Sequence, residues 1–168
     1  MKAFFNQHGY TCLKLLVTQI AISVFGTVLA MATTASGSDI FSIIVSIFAI
    51  LFYIFLIYNS MWEVGAKDRL SFDLGKKGKK LATGLWIGLI ESMPNFIIAI
   101  IFTIGYPFMA VQEWAGNMCA IAKVLSLYIE GMYSGLITAI TIGGTQLSSF
   151  WWTYFAITVP GIAAIWIS

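Results

Sequence analysis

The sequence predicts an all-α fold, a polytopic transmembrane helical bundle, and composition is the main ground for this. Of the 168 residues, 60% are apolar and only 10% are charged, whereas soluble domains carry about 25% charged residues. A water-soluble surface cannot be built from this composition, so the apolar surplus needs lipid as its solvent. The 6 Trp and 7 Tyr residues agree with this prediction, because both types collect at the headgroup level of bilayers.

We predict about five helices in a single transmembrane domain that covers residues 1–168. Backbone polar groups in hydrocarbon must pair within their own segment, which makes long apolar runs helical, and one crossing needs ~20 residues. A basic loop at residues 62–80 separates the second run from the third. The runs that meet these conditions cover residues 12–32, 40–60, 81–106, 118–142 and 150–168.

Some of these runs carry signals that end, bend or weaken a helix. Gly105, Tyr106 and Pro107 end the third run, and Pro160 followed by Gly161 predicts a kink in the last one. The fourth run is ambiguous because it holds charged residues. It either spans the membrane, lies in the interface, or lies in a groove lined by protein. If it does not span, the chain crosses four times.

The basic residues predict the orientation of the chain, because most of them lie in one stretch. By the positive-inside rule this stretch faces the cytoplasm. The N-terminus is then also cytoplasmic, with the C-terminus outside after five crossings or inside after four. We therefore expect a multi-pass protein of the cell membrane. Each Lys near an anionic leaflet contributes about 1 kcal/mol, so lipid or a partner is expected to dock on Lys76, Lys77, Lys79 and Lys80.

Glu91 is the clearest candidate for a functional residue, because it lies near the middle of the third run. A carboxylate there costs ~2.5–3.5 kcal/mol or more. Gly84, Gly88, Glu91 and Asn95 recur at spacings of four, three and four, so they share one helical face. Pro94 frees a backbone carbonyl one turn earlier. Two interpretations stay open: a site for a solute, ion or proton, or a helix-packing face around a protonated or hydrogen-bonded Glu91.

Lys123 and Glu130 form a second candidate polar site, on the fourth run. Ser126, Ser134 and Thr138 continue the same stripe, which makes the predicted helix amphipathic. In one interpretation the stripe lines a polar cavity, with its lysine facing the carboxylate of the third run or an anionic ligand. In the other, it is the headgroup-facing side of an interfacial helix.

Close helix packing is the predicted role of the small residues. Gly84 and Gly88 form a Gly-x-x-x-Gly pair, and Gly26 lies in a small-and-polar stripe of the first run. Faces of this kind let a second helix approach closely. We therefore expect these three glycines at contacts between helices.

The sequence favours neither an enzyme nor a cofactor-dependent protein. It has no His/Cys/carboxylate cluster with metal-ligand spacing, no Gly-x-Ser-x-Gly or His-Glu-x-x-His motif, and no paired acids on one helix. The Gly75–Lys80 segment lacks the spacing of a phosphate-binding loop. No basic domain with interleaved aromatic residues indicates nucleic acid. We therefore expect no catalysis, metal, cofactor or nucleic-acid partner.

The segment after the second run resembles one in small, uncharacterised bacterial multi-pass membrane proteins. The likeness rests on Trp62-x-x-Gly65-x-Lys67-Asp68 alone. It implies a bacterial inner or cytoplasmic membrane and nothing about activity. Size and hydropathy are also similar to the substrate-binding membrane subunits of energy-coupling-factor vitamin importers, although no diagnostic motif of theirs is present.

Two functions follow as expectations. The first is a small transport or solute-binding component, with a polar intramembrane site made of Glu91, Asn95, Lys123 and Glu130. The alternative is a non-catalytic adaptor, assembly or immunity subunit of a larger membrane complex, indicated by the small-residue faces and the basic loop. Either role implies membrane lipids as neighbours, and another membrane protein or a second copy of the chain as partner.

Overall fold

The computed structural model describes residues 2–35, 37–74 and 83–167, and these are almost entirely helical. The predicted all-α class is confirmed. In order along the described chain the helices are α1 Lys2–Ala35, α2 Asp39–Asp73, α3 Thr83–Glu91, α4 Met93–Gly105, α5 Glu113–Glu130, α6 Ser134–Ala139 and α7 Thr153–Ile167.

Short 3-10 turns and a small β-hairpin connect some of these helices. The turns cover Tyr106–Phe108, Gly131–Tyr133 and Leu147–Ser149, and the strands are β1 Thr141–Ile142 and β2 Thr145–Gln146. The strands pair antiparallel. Gly143 and Gly144 join them with φ angles of 60° and 82°. Only glycine adopts this left-handed conformation without steric cost, and a two-residue hairpin turn requires it.

Several helices are long and apolar enough to cross a membrane. Within the described ranges, His8–Thr33, Asp39–Lys67 and Glu113–Ala139 meet this criterion by length and hydropathy, and α3 with α4 meets it as a bent pair. α7 has 15 residues and is ~22 Å long. It is therefore shorter than the ~30 Å hydrocarbon core of a bilayer.

The distribution of side chains is the reverse of that in a soluble protein. Large apolar side chains cover the outside, and Phe48 and Phe55 on α2 are 60% and 61% exposed. Glu91, Asn95 and Glu130 are instead buried, at 1%, 3% and 2% exposure. Hydrocarbon around the bundle stabilises this arrangement and water does not, which supports a membrane location.

The first two helices are longer than predicted. α1 begins at Lys2 rather than near residue 12, and α2 continues to Asp73, so residues 62–73 of the predicted loop are helical. A fall in hydropathy marks where the chain leaves the lipid. It does not end a helix, because the backbone hydrogen bonds of a helix also form in water. Gly65 costs a helix only ~1 kcal/mol and does not end α2. The predicted docking residues Lys76, Lys77, Lys79 and Lys80 lie outside the described residues.

The third predicted helix, residues 81–106, is broken in two. α3 ends at Glu91, α4 begins at Met93, and the axes of the two pieces differ by 50°. Ser92 between them has φ −78° and ψ 0°. Pro94 explains the break, because its ring crowds the carbonyl one turn earlier and it has no N–H to pair with that carbonyl.

The prediction of a single fourth helix over residues 118–142 is wrong. α5 begins earlier, at Glu113, and ends at Glu130, whose φ of −125° and ψ of 19° are not helical. A 3-10 turn and the six-residue α6 follow. Gly131 allows this break, because without a side chain it can lie directly against α1.

α5 enters the bundle at the end where α4 leaves it. The thiol sulfur of Cys119, early in α5, lies 3.7 Å from the carbonyl oxygen of Phe102, late in α4. At the other end of this helix pair, the amide of Asn95 lies beside the carboxyl of Glu130. The two helices therefore run antiparallel, and α5 extends into the bundle as far as Glu130.

α6 returns toward the end from which α5 came. Gly135 packs against Ser42 and Ser46 near the start of α2. The hydroxyl of Ser42 lies 2.8 Å from that of Thr33, near the end of α1. α6 therefore points to the end of the bundle where α1 joins α2. We call this the hairpin end, because β1 and β2 follow α6 there.

The first turn of α7 shows that α4 also ends at the hairpin end. The amide of Leu147 donates to the carbonyl of Ile140 at 2.9 Å, and the hydroxyl of Thr153 donates to the carbonyl of Leu147 at 2.7 Å. The ring of Tyr154, the next residue of α7, has its centre 4.6 Å from the centre of the Phe102 ring, which lies late in α4. Residues Glu113–Ala139 are thus a re-entrant segment that enters and leaves at one end.

α7 runs from the hairpin end to the opposite end of the bundle. It begins at Thr153 rather than at residue 150 and contains Pro160. Near its end, a Cβ on Gly84 would lie 2.9 Å from the carbonyl oxygen of Ile165. The described chain thus passes through the bundle four times, by α1, α2, α3 with α4, and α7. The contacts of Glu113–Ala139 favour the four-crossing alternative, although by length and hydropathy this segment qualifies as a span and α7 does not.

The re-entrant path predicts where cysteine labels attach. In a background with Cys12 and Cys119 replaced by Ala, Val111→Cys and Ile142→Cys should react with a membrane-impermeant maleimide from the same side of sealed vesicles. Both native residues are exposed, one on each side of the re-entrant segment. Leu74→Cys, just beyond α2, should react from the other side. Labelling of the first two positions from opposite sides would show that residues Glu113–Ala139 cross.

Candidate functional site

Glu91 lies inside the bundle at the break between α3 and α4. It is 1% exposed. The hydroxyl of Tyr53 on α2 donates to Oε1 at 3.3 Å, and the hydroxyl of Ser92 donates to Oε2 at 3.2 Å. Each carboxylate oxygen therefore has one hydroxyl donor, which suits an ionised Glu91.

Glu130 is the second buried acid, and it lies at the other helix break. Its Oε1 is 2.7 Å from the hydroxyl oxygen of Thr158 on α7. Its Oε2 has no hydrogen-bond partner among the described residues. The two carboxyl groups are close enough to interact electrostatically. The tertiary structure thus unites acids that lie 39 positions apart in the sequence.

Further polar atoms around these acids are buried without partners in the described chain. The amide of Asn95 lies beside Glu130, yet its Oδ1 has no donor. The hydroxyl of Tyr133, in the 3-10 turn after α5, is also unpaired, although it is within electrostatic range of both carboxyl groups. We call Glu91, Asn95, Glu130, Tyr133 and Thr158 the acidic cluster.

Helix ends of both polarities lie at the acidic cluster. Glu91 is the last residue of α3, and Glu130 is the last residue of α5. The C-terminal end of a helix carries the equivalent of about −0.5 charge, because its last carbonyl groups are unpaired. The N-terminal end of α4, at Met93, lies at the same break as Glu91 and carries the opposite partial charge, so the two acids rather than the helix ends set the sign of the site. The cluster therefore disfavours anions and favours a proton or another cation.

Lys123 is not part of the acidic cluster, contrary to the prediction that it faces Glu91 or an anionic ligand. It is half-buried on α5, and its Nζ lies 5.7 Å from the centre of the Phe102 ring. Within the described ranges no ion pair joins it to either buried acid. A cation over an aromatic face is stabilised by ~0.5–2 kcal/mol, so Lys123 has its own partner nearer the hairpin end.

The predicted packing glycines lie at close helix contacts. Gly84 and Gly88 face α7 at Ile165, where a Cβ on Gly88 would lie 3.4 Å from that side chain. Gly26 faces the re-entrant turn, where its Cβ would lie 2.6 Å from the Cα of Met132. These contacts let α7 and the re-entrant turn approach closely enough to enclose the acidic cluster.

Sequence reasoning missed several residues of this region. Tyr53 lies in the most apolar run, where its hydroxyl is one polar atom among many carbons, and Thr158 and Tyr133 carry no charge to mark them. Gly131 and Gly135 were also overlooked. They form a Gly-x-x-x-Gly pair, and this spacing was the signal that would have found the re-entrant contacts with α1 and α2.

In the described ranges, no group of three or more His, Cys, Asp or Glu residues has a metal-binding arrangement. The donors of the acidic cluster are instead two carboxyl groups supplemented by amide and hydroxyl oxygens. No protein family, curated protein or solved structure matches this chain.

A substitution at Gly26 tests how tightly α1 holds the re-entrant turn. Gly26→Ala should destabilise the folded protein by ~1–3 kcal/mol, because its Cβ has no space against the Met132 backbone. The measurement is thermal unfolding in detergent, followed by circular dichroism. Gly9→Ala on the same helix is the control, since no atom lies within 4 Å of that Cβ. Equal stability of the two variants would contradict this packing.

Proposed function

We propose that this chain is a small membrane transport component whose solute is cationic and passes the acidic cluster. One observation carries the proposal: two carboxyl groups are buried at two helix breaks inside an apolar bundle, beside unpaired oxygen atoms. Helix breaks deep in a membrane bundle are characteristic of ion and substrate sites in transporters. Buried ionisable residues in membrane helices are functional by default.

A purely structural role explains the acidic cluster less well. A buried polar atom without a partner costs ~1–3 kcal/mol, and Glu130 Oε2, Asn95 Oδ1 and the Tyr133 hydroxyl all lack one in the described chain. A packing face would gain stability by replacing these groups with apolar ones. A site that must exchange a ligand keeps such oxygens unpaired until the ligand is bound.

The size of the chain bears on how it would work. With four passes and a short α7, it would act together with a second copy or with a larger membrane protein. A bacterial cell membrane with a cytoplasmic N-terminus remains the location that we propose from the basic residues of the sequence. The adaptor or immunity role predicts that the chain moves no solute by itself, so one experiment separates the two functions.

The proposal predicts cation flux through the purified chain in proteoliposomes. The probes are Na⁺, K⁺, methylammonium and a pH gradient read by an enclosed dye. Glu91→Gln and Glu130→Gln should each lower the initial rate for the transported probe about tenfold, the effect of ~1.4 kcal/mol. Each removes a carboxylate that would stabilise the cation.

Glu63→Gln is the matched control, because Glu63 is an exposed acid on α2 and should keep the full rate. Size-exclusion chromatography and circular dichroism check that every variant folds. Transport by the chain alone or by its homo-oligomer is refuted if folded wild-type protein moves none of the probes. It is also refuted if both buried-acid variants match the rate of wild type.

A further inference from the structure

The hydroxyl of Thr158 has two acceptors within hydrogen-bond distance. Its hydroxyl oxygen lies 2.7 Å from Glu130 Oε1 and 2.9 Å from the carbonyl oxygen of Tyr154, one turn earlier on α7. A hydroxyl has one hydrogen to donate, and the carbonyl can only accept. When Thr158 donates to that carbonyl, the 2.7 Å contact is a hydrogen bond only if the carboxyl of Glu130 supplies the hydrogen.

The two acids of the cluster differ in this respect. Glu91 accepts one hydrogen bond on each oxygen, from Tyr53 and Ser92, and neither donor has a competing acceptor among the described hydrogen bonds. Glu130 has an Oε2 without a hydrogen bond in the described chain, the Asn95 amide beside it, and a hydroxyl neighbour whose single hydrogen the Tyr154 carbonyl can also accept. Two carboxyl groups close together in apolar surroundings do not both ionise readily, and their environments decide which one keeps the proton.

The groups that face Glu130 from the neighbouring elements supply no positive charge. The titratable ones are the carboxyl of Glu91 on α3 and the hydroxyls of Tyr53 on α2, Tyr133 in the re-entrant turn and Tyr154 on α7. The uncharged amide of Asn95 on α4 and the hydroxyl of Thr158 on α7 lie beside it as well. Lys123, two turns earlier on α5, has its Nζ over Phe102. The second negative charge of the acid pair therefore has no ion-pair partner in the described chain.

We propose that Glu130 is the proton-binding residue of the site, and that it carries a single exchangeable proton while Glu91 is ionised. The assignment of the proton to Glu130 does not depend on the proposed function. It rests on the proposed function only for the role of the proton, which either is the transported cation or is coupled to the flux of another cation. On release, the O–H bond of Glu130 breaks and the proton leaves to water. The Thr158 hydroxyl then turns from the Tyr154 carbonyl to donate to the Glu130 carboxylate, so every hydrogen atom is accounted for.

Infrared spectroscopy of the purified chain in lipid nanodiscs tests this assignment. The wild type should show the carbonyl stretch of one buried protonated carboxylic acid, which disappears reversibly as the pH is raised. Glu130→Gln should lack this band, whereas Glu91→Gln and the exposed control Glu63→Gln should keep it. Thr158→Val should shift the band to higher frequency, because it loses the hydroxyl acceptor, and Thr158→Ser should restore the wild-type position.

Several results would overturn the assignment. One is a band that survives in folded Glu130→Gln, and another is a band that is lost in Glu91→Gln alone. If Glu130→Gln does not fold, an unshifted band in Thr158→Val refutes the proposal. Loss of the wild-type band on adding NaCl at constant pH would show that Na⁺ takes the place of the proton. A Glu130 band without any flux in proteoliposomes refutes transport but leaves the protonation site standing.

Discussion

Hydrocarbon offers no hydrogen-bond partner, and this constraint determines how the bundle is arranged. The chain leaves helical geometry at Ser92 and at Glu130, where backbone groups lose their regular partners. Both breaks lie inside the bundle, with Ser92 1% and Glu130 2% exposed. Non-helical backbone at membrane depth is tolerated where protein or a polar site surrounds it. The two helix breaks and the acidic cluster therefore all lie inside the bundle, because neither non-helical backbone nor an acid is stable in contact with hydrocarbon.

Close backbone contact makes such a location possible in a chain of this size. Gly131 lies against Ser23 and Thr27 of α1, and Gly135 lies against Ser42 of α2. The hydroxyl of Ser23 donates to the carbonyl of Ile129 at 2.6 Å, which gives this carbonyl a donor at the end of α5. Small residues bring the helices together, and hydroxyl groups on the facing helix satisfy the exposed carbonyls. The re-entrant segment is thus held by the two longest helices.

The side chains of the site limit its chemistry. They are acids, an amide and hydroxyls, whereas the helix ends at the two breaks carry partial charges of both signs. Lys123, the cation of the same re-entrant segment, is drawn to the face of Phe102 instead. An anion would therefore meet repulsion in the cluster, whereas a proton or cation would neutralise it. The contacts of Thr158 support our proposal that Glu130 is the proton carrier.

Composition and spacing alone determined the membrane class, marked Glu91 as a buried acid and placed Gly84 and Gly88 on one face of α3, although the break at Ser92 puts Asn95 on α4. These follow from local rules, since hydropathy sets the solvent and helical periodicity sets the face. Only the tertiary structure decided that residues Glu113–Ala139 turn back and that Glu130 meets Glu91. Hydropathy reports how a segment is solvated but not which end of the bundle it reaches. That outcome depends on contacts with α1, α2 and α7, which are distant in the sequence.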